Sequence, residues 1–347
     1  MTREVETRFL IMRNGVIFGE LYPAANSAPR LQMSDSAAIK TSLSGDFVEP
    51  EEIDWLSDEI QPVLVIDGVE SPLGVFLPAT VTPTETETTK SVKVTAYDRC
   101  WRVRDTYAES SVYFANGTNY ISAIESLLTA AGIVLTVKTP TAAAFPEARE
   151  DWQAGTSYLD IINELLAEIS YNPLWFNSQG AAVLEPASVP AAENIEHTLD
   201  DTDVRSLLLP QISREMDIYS APNVFLCICS SADKASVLTA TAENTNPQSP
   251  LSIMRRGRRI VKVTRVNNVA DQAALNAYAE KLRNDSMLSG ETIRVTTGLL
   301  PGFGVADVTA IRWGKLSAIC VEHAWDMELQ VGGSMKHTLE RVVVNLG

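Results

Sequence analysis

Residues 151–184 read DWQAGTSYLDIINELLAEISYNPLWFNSQGAAVL, and this stretch decides the fold. Gly155-Thr156-Ser157 stops the preceding segment and supplies a hydroxyl cap, and Asp160 falls near the positive end of the helix that follows. Tyr158, Ile161, Ile162, Leu165, Leu166 and Ile169 recur with the period of a helix buried on one face. Asn163, Glu164 and Glu168 take the wet face, and Asn172-Pro173 ends the helix. Leu174-Trp175-Phe176 and Ala181 to Leu184 then flank Asn177-Ser178-Gln179-Gly180, a hairpin loop with Gly where a positive φ is expected. A compact helix-plus-hairpin piece therefore lies between two long stretches of different character.

Both flanks read as β-structure. Phe9 to Met12 and Val16 to Leu21 bracket Asn14-Gly15, and Pro62 to Ile66 and Val69 to Pro78 bracket Asp67-Gly68; both dipeptides are strong hairpin signals. Ala37 to Leu43 is a candidate third strand, and Ser91 to Ala96 alternates in period two. Asp98-Arg99-Cys100-Trp101 reads as a strand end and a short turn. Glu49 to Glu59 holds six carboxylates and Trp55 and reads as a solvated acidic loop, because no ordered ligand spacing is present. Before the central piece, Tyr120, Ile121, Ile124, Leu127, Leu128 and Ala131 form a helical stripe with Thr118 or Asn119 as cap and Gly132 as stop. Ile133 to Val137 is a strand, Thr139 to Ala148 a connector, and Asn116-Gly117-Thr118 a turn.

After residue 188, strands are expected at Asn223 to Ser230, Ser236 to Ala242, Ile260 to Val266, Glu291 to Thr297, Val308 to Trp313, Lys315 to Trp325 and Lys336 to Asn345. Asp271 to Met287 is a helix with Leu275, Tyr278 and Leu282 on one face and Gly290 beyond it. The fold class is α+β and mainly β: a first domain over 1–100, a helix-containing α+β domain over 101–187, and a second β domain over 188–347 with one helix at 271–287.

The chain of 347 residues has a net charge of −16 and 45% hydrophobic residues. That charge opposes general affinity for nucleic acid. It suits solubility, or a surface past which DNA slides. No apolar run reaches eighteen residues and the charged start lacks a signal-peptide core, so cytoplasmic synthesis without membrane insertion is expected. Cys100, Cys227, Cys229 and Cys320 form no CxxC pair and read as buried thiols. His197, His323 and His337 are far apart, without metal spacing, and read as structural or exposed. There is no nucleophile elbow and no Walker motif, and Gly302-Phe303-Gly304 lacks the setting of a dinucleotide loop. Catalytic, cofactor and metal residues are accordingly expected to be none. Arg255, Arg256, Arg258 and Arg259 form a local basic cluster in this acidic chain: a nucleic-acid patch, a loop against acidic groups of a neighbouring subunit, or a solvated loop.

The order of these pieces resembles the baseplate hub family of phage tails and related contractile injection systems, including the late control protein D group. Three stretches carry the resemblance. Pro62 to Gly68, Leu73-Gly74-Val75-Phe76 and Val92 to Arg99 are similar to the family's "G-x-F" and "x-A-x-D" pattern. Tyr120 to Gly132 with Trp152 to Leu184 is similar to its helical insert, although Ser170-Tyr171-Asn172 stands where a Gly is common. Asp271 to Leu288, Leu300-Pro301, Asp307-Val308 and Gly333 to Arg341 are similar to its closing helix and strands.

The resemblance implies two small tube-type β-barrels flanking the insert and a non-enzymatic homotrimer. Such a ring adapts a six-fold tail tube, or distal tail protein, above to a three-fold spike or tail-tip protein below. Its channel passes the tape measure and then DNA, which does not bind stably. The expected place is the virion baseplate, assembled in the host cytoplasm. The competing class is a tail-tip cell-wall-degrading enzyme, motivated by the many carboxylates, or a carbohydrate-binding β-protein with Trp55 in a groove.

Overall fold

Asn14 and Gly15 both take positive φ (52° and 78°), as do Asp67 and Gly68 (50° and 81°), so both expected hairpins form with the right-handed strand twist that such turns match. In a computed structural model the protein is described over residues 3–50, 52–86, 89–187, 190–216, 219, 221–229, 237–247, 249–266, 272–287 and 291–342. The expected element ends at Ser230, Ser236, Asp271, Gly290 and 343–345 lie outside the described residues. The chain forms two compact units, one of Met1–Val189, Thr297–Ala306 and His323–Lys336, the other of Pro190–Thr296, Asp307–Glu322 and His337–Gly347.

The first unit opens with β1 (Val5–Arg13), β2 (Val16–Leu21), β3 (Arg30–Ser34), β4 (Thr41–Val48), β5 (Glu59–Ile66), β6 (Val69–Pro72), β7 (Phe76–Glu85) and β8 (Lys90–Asp98). The expected strand at Ala37 to Leu43 is corrected: residues 35–40 are the turn between β3 and β4, where Lys40 donates to the Asp35 carbonyl. The antiparallel path runs β2-β1-β5-β7-β8-β4-β3, and residues 324–328 pair outside β3. Among the described residues no ladder of two named strands closes this path, and the sheet curls until an isolated antiparallel bridge, Pro23 to Phe47, joins the stretch after β2 to β4. Its curl shows in the chain just after β2, which reaches β4: Ala24 N–H donates to Asp46 O at 2.9 Å and Val48 N–H to Tyr22 O at 2.8 Å. Alternating residues fill its core, with Phe9, Leu31, Leu43, Phe47, Ile60, Leu64 and Phe76 buried against Trp325 and Met327.

The remaining elements of this unit are α1 (Cys100–Asp105), β9 (Val112–Phe114), α2 (Tyr120–Ala130), β10 (Thr136–Lys138), β11 (Arg149–Trp152), α3 (Tyr158–Glu168), β12 (Trp175–Phe176) and β13 (Ala182–Leu184). Caps fix both long helices. The Asn119 side chain accepts from the Ile121 and Ser122 amides, and Ser157 Oγ from Leu159 N–H. The turn expected after Asp98 is instead α1. Buried Asp98 holds its start by accepting from Cys100 N–H at 2.9 Å while also accepting from Thr41 N–H at 2.9 Å, so the Asp of the "x-A-x-D" pattern ties strand end to helix start. The strand expected from Ile133 begins only at Thr136 and runs parallel to β13. The connector contributes to the core: Phe145 is buried, tilted against Tyr120 and stacked on Phe114.

The second unit contains β14 (His197–Asp200), β15 (Leu208–Met216), β16 (Val224–Cys229), β17 (Leu238–Glu243), α4 (Ile253–Arg256), β18 (Val261–Val266), α5 (Gln272–Met287), β19 (Glu291–Gly298), β20 (Val308–Trp313), β21 (Leu316–Glu328) and β22 (Ser334–Val342), the last two shared with the first unit. β14 runs parallel to β20, and β20 antiparallel to β21. A separate sheet orders β17-β16-β18, with β18 parallel to β16. On α5 the buried face is Leu275 and Ala279, with Leu282 partly buried; Tyr278, expected there, is 38% exposed. These pack on Cys227, Cys229, Ala240 and Ala242, so α5 covers one face of the small sheet.

Candidate functional site

Each histidine is tied to a carboxylate, and the ties are structural. His197 Nε2 lies 2.9 Å from Asp307 Oδ2 at the head of β20, and His337 Nδ1 lies 2.9 Å from Glu322 Oε2 between β22 and β21. His323 contacts the Asp35 carboxylate, whose own backbone N–H donates to the His323 carbonyl at 2.9 Å. The His337–Glu322 pair is fully buried, and burial pushes the Glu322 carboxyl above its ordinary range. Glu322 Oε1 and Thr309 Oγ1 are buried without a hydrogen-bond partner. No group of three or more His, Cys, Asp or Glu able to hold a metal ion occurs among the described residues.

All four cysteines are free and buried. Cys227 and Cys229 face the same side of β16, as alternation requires. Burial raises the Cys320 thiol to about 12 and pushes Cys100 up as well, so both stay protonated and unreactive near neutral pH.

The acidic loop is corrected at its end. Asp58 is buried and clamped by Arg13, with Nε–Oδ1 at 2.8 Å and Nη2–Oδ2 at 2.7 Å, and this hydrogen bonding holds its carboxyl below the usual range. Glu59 is buried on Arg99. Glu49, Glu52 and Asp54 remain exposed, as a solvated loop requires, and Glu51 lies outside the described residues. Both buried partners come from distant sequence, which is why local reading placed all six carboxylates in water.

The arginine cluster sits on α4 and the turn after it. Ser252 caps the helix, accepting from Arg255 N–H at 3.3 Å, and Gly257 (φ 64°) ends it. Arg256 donates to the Ala221 carbonyl and, at 3.1 Å, to the Tyr219 carbonyl. Arg258 donates to Tyr219 O at 2.9 Å and stacks 5.0 Å over the Tyr219 ring. Arg259 pairs with Glu243 at 3.0 Å, and Arg255 is exposed. The structure thus gathers the four residues at one end of the β17-β16-β18 sheet. From there β18 runs past Val261 and Val263 to Arg265 at the other end, residues that the sequence placed on a strand without showing which face a helix covers.

No helix among the described residues is long and apolar enough to cross a membrane. No family model matches the chain, and no curated protein matches it. Solved structures do. A tail protein from Neisseria meningitidis MC58 aligns with a TM-score of 0.69 at 15% identity, covering 96% of both chains. The prophage MuSo2 tail protein from Shewanella oneidensis aligns with a TM-score of 0.68 at 12% identity, covering 97% of this chain and 98% of that one. Prophage tail protein gp18 from Listeria monocytogenes EGD-e aligns with a TM-score of 0.57 at 12% identity, covering 96% and 94%. At these identities what is shared is the architecture: along nearly its whole length, this chain has the fold of phage tail proteins.

Proposed function

We propose that the chain is a structural subunit of a phage tail, the baseplate hub, acting without catalysis. The observation that carries this is the alignment of 96% of the chain with 96% of a tail protein. In this reading three copies form a ring with two sheet-rich modules per copy, presenting six-fold symmetry to a tail tube or distal tail protein and three-fold symmetry to a spike or tail-tip protein. The tape measure and then DNA pass through the ring. The net charge of −16 fits a lumen that does not retain polyanions. The division into 1–100, 101–187 and 188–347 belongs to this proposal, with residues 297–306 and 323–336 returning to the first unit. So does a place in the virion tail, assembled in the host cytoplasm. The Arg255, Arg256, Arg258 and Arg259 turn faces a neighbouring subunit.

Electron-microscopy class averages of the purified protein test the reading. A three-fold ring with a central pore is expected, together with no release of fragments from peptidoglycan. A monomer at all concentrations, or release of fragments, overturns it.

A further inference from the structure

Among the described residues, α5 covers one side of the small sheet of the second unit. Phe225, Cys227 and Cys229 of β16 alternate with Val224, Leu226 and Ile228, and the ladder pairs the latter with Val261, Val263 and Arg265. α5 packs on the Cys227 and Cys229 side. On the other side Val224 is buried, and the exposed part, among the described residues, lies along β18. Val261 and Val263 are each 51% exposed, Leu226 and Ile228 beside them are half-buried, and Arg265 is exposed. Arg259 marks the opposite end through Glu243, which stands across the ladder from Val224. The result is an apolar strip with the exposed Arg265 at one end and the Arg259–Glu243 ion pair at the other, in a chain whose net charge is −16.

The first unit carries the complementary shape. Leu56 is 98% exposed at the tip of a fixed turn. Leu56 N–H donates to Asp54 Oδ1 at 3.0 Å and Ser57 Oγ to Asp54 Oδ2 at 2.7 Å. Asp58 N–H donates to Asp54 O at 2.9 Å, and Asp54 N–H to Asp58 Oδ2 at 2.8 Å. Arg13 locks Asp58 from β1. Leu56 is therefore held in place before it meets anything, so docking it costs little ordering. Exposed Asp54 belongs to the same turn, and exposed Glu52 stands just before it in the chain.

We infer that the Leu56 turn of one copy seats on the Arg259, Val261, Val263 and Arg265 face of the next copy. An apolar anchor flanked by Glu52 and Asp54 meets an apolar strip that ends at exposed Arg265, so the contact joins opposite signs between copies that otherwise repel. Anchor and strip are different patches of one chain. The contact is thus head-to-tail, the type that closes into a ring when the rotation fits. The inference deepens the ring reading and rests on it.

Differently tagged Leu56→Cys and Val263→Cys chains, co-expressed and oxidised, test the contact. A disulfide between the two tags is expected, with none when either variant is made alone; the native thiols are buried. Leu56→Asp and Val263→Asp should each weaken assembly roughly tenfold or more while keeping the wild-type fold, read as an unchanged far-UV circular dichroism spectrum. If the wild type forms a trimer but neither cross-link nor weakening is seen, this contact is wrong and the ring reading stands. A cross-link within one variant alone also overturns it. A wild type that stays monomeric ends both.

Discussion

Arg99 grips Glu59 with two prongs, Nε to Oε1 at 3.0 Å and Nη2 to Oε2 at 2.6 Å, and its remaining nitrogen donates to the Gly180 carbonyl at 3.0 Å. One guanidinium thus ties β5 of the curled sheet to the hairpin loop between β12 and β13. Arg99 follows directly on the Asp98 that starts α1, so strand end, helix start and hairpin loop share one anchor point.

Removing one partner strands the other in a buried place. Arg99→Met is expected to cost about 3 kcal/mol, read as a lower urea midpoint. Arg99→Met with Glu59→Gln should recover part of that loss.

Gly180 has φ 72°, and a Cβ there would lie 2.7 Å from Val75 Cγ2. Gly180→Ala is expected to lose about 2 to 3 kcal/mol from strain and overlap together. Gly117 has φ 80° with nothing within 4 Å of its Cβ position, so Gly117→Ala should lose only about 1 kcal/mol. Thermal melts of the two variants separate the overlap from the strain.

Exposed Ser170, at φ 59°, ends the turn after α3 in the left-handed region. It belongs to the Ser170-Tyr171-Asn172 stretch, where the resemblance makes a glycine common. Ser170→Gly should raise stability by about 0.5 to 1 kcal/mol, seen as a higher melting temperature.

Burial pushes the Asp98 carboxyl from 3.8 up to about 6, against the hydrogen bonds it accepts from Thr41 and Cys100. The folded chain therefore holds this proton more tightly than the unfolded chain. The contribution is fully present below pH 4 and is lost as pH rises through about 6, a change of about 2 to 3 kcal/mol. Asp58, whose carboxyl is lowered by Arg13, acts in the opposite sense, its contribution being lost as pH falls through its depressed range. Denaturant midpoints of Asp98→Asn should lack the decline between pH 4 and 6 that the wild type shows; an unchanged slope refutes the assignment.

What was legible in the sequence was local. Asn14-Gly15 and Asp67-Gly68 fix their turns by φ alone, and the α2 and α3 stripes carry their own caps at Asn119 and Ser157. What was not legible depends on distant partners. Asp58 and Glu59 look like loop carboxylates until Arg13 and Arg99 reach them. Phe145 sits in a connector of Pro and Ala, yet Phe114 and Tyr120 stack around it. Tyr278 has the helical spacing of a core residue, but Ala279 allows α5 closer to Cys227 and Cys229. The basic cluster was visible as composition, whereas the open strip beside it became visible only once α5 was placed.

The outer neighbour of β3 is the 324–328 segment, nearly three hundred positions downstream. A ribosome therefore releases the first half of this polypeptide long before its missing border strand exists. During that interval Arg30 to Ser34 presents bare backbone amides and carbonyls, an invitation to pair with another nascent chain. Translation speed and chaperone supply should consequently set the yield of soluble material, and a fragment stopped at residue 189 should precipitate where the intact polypeptide does not.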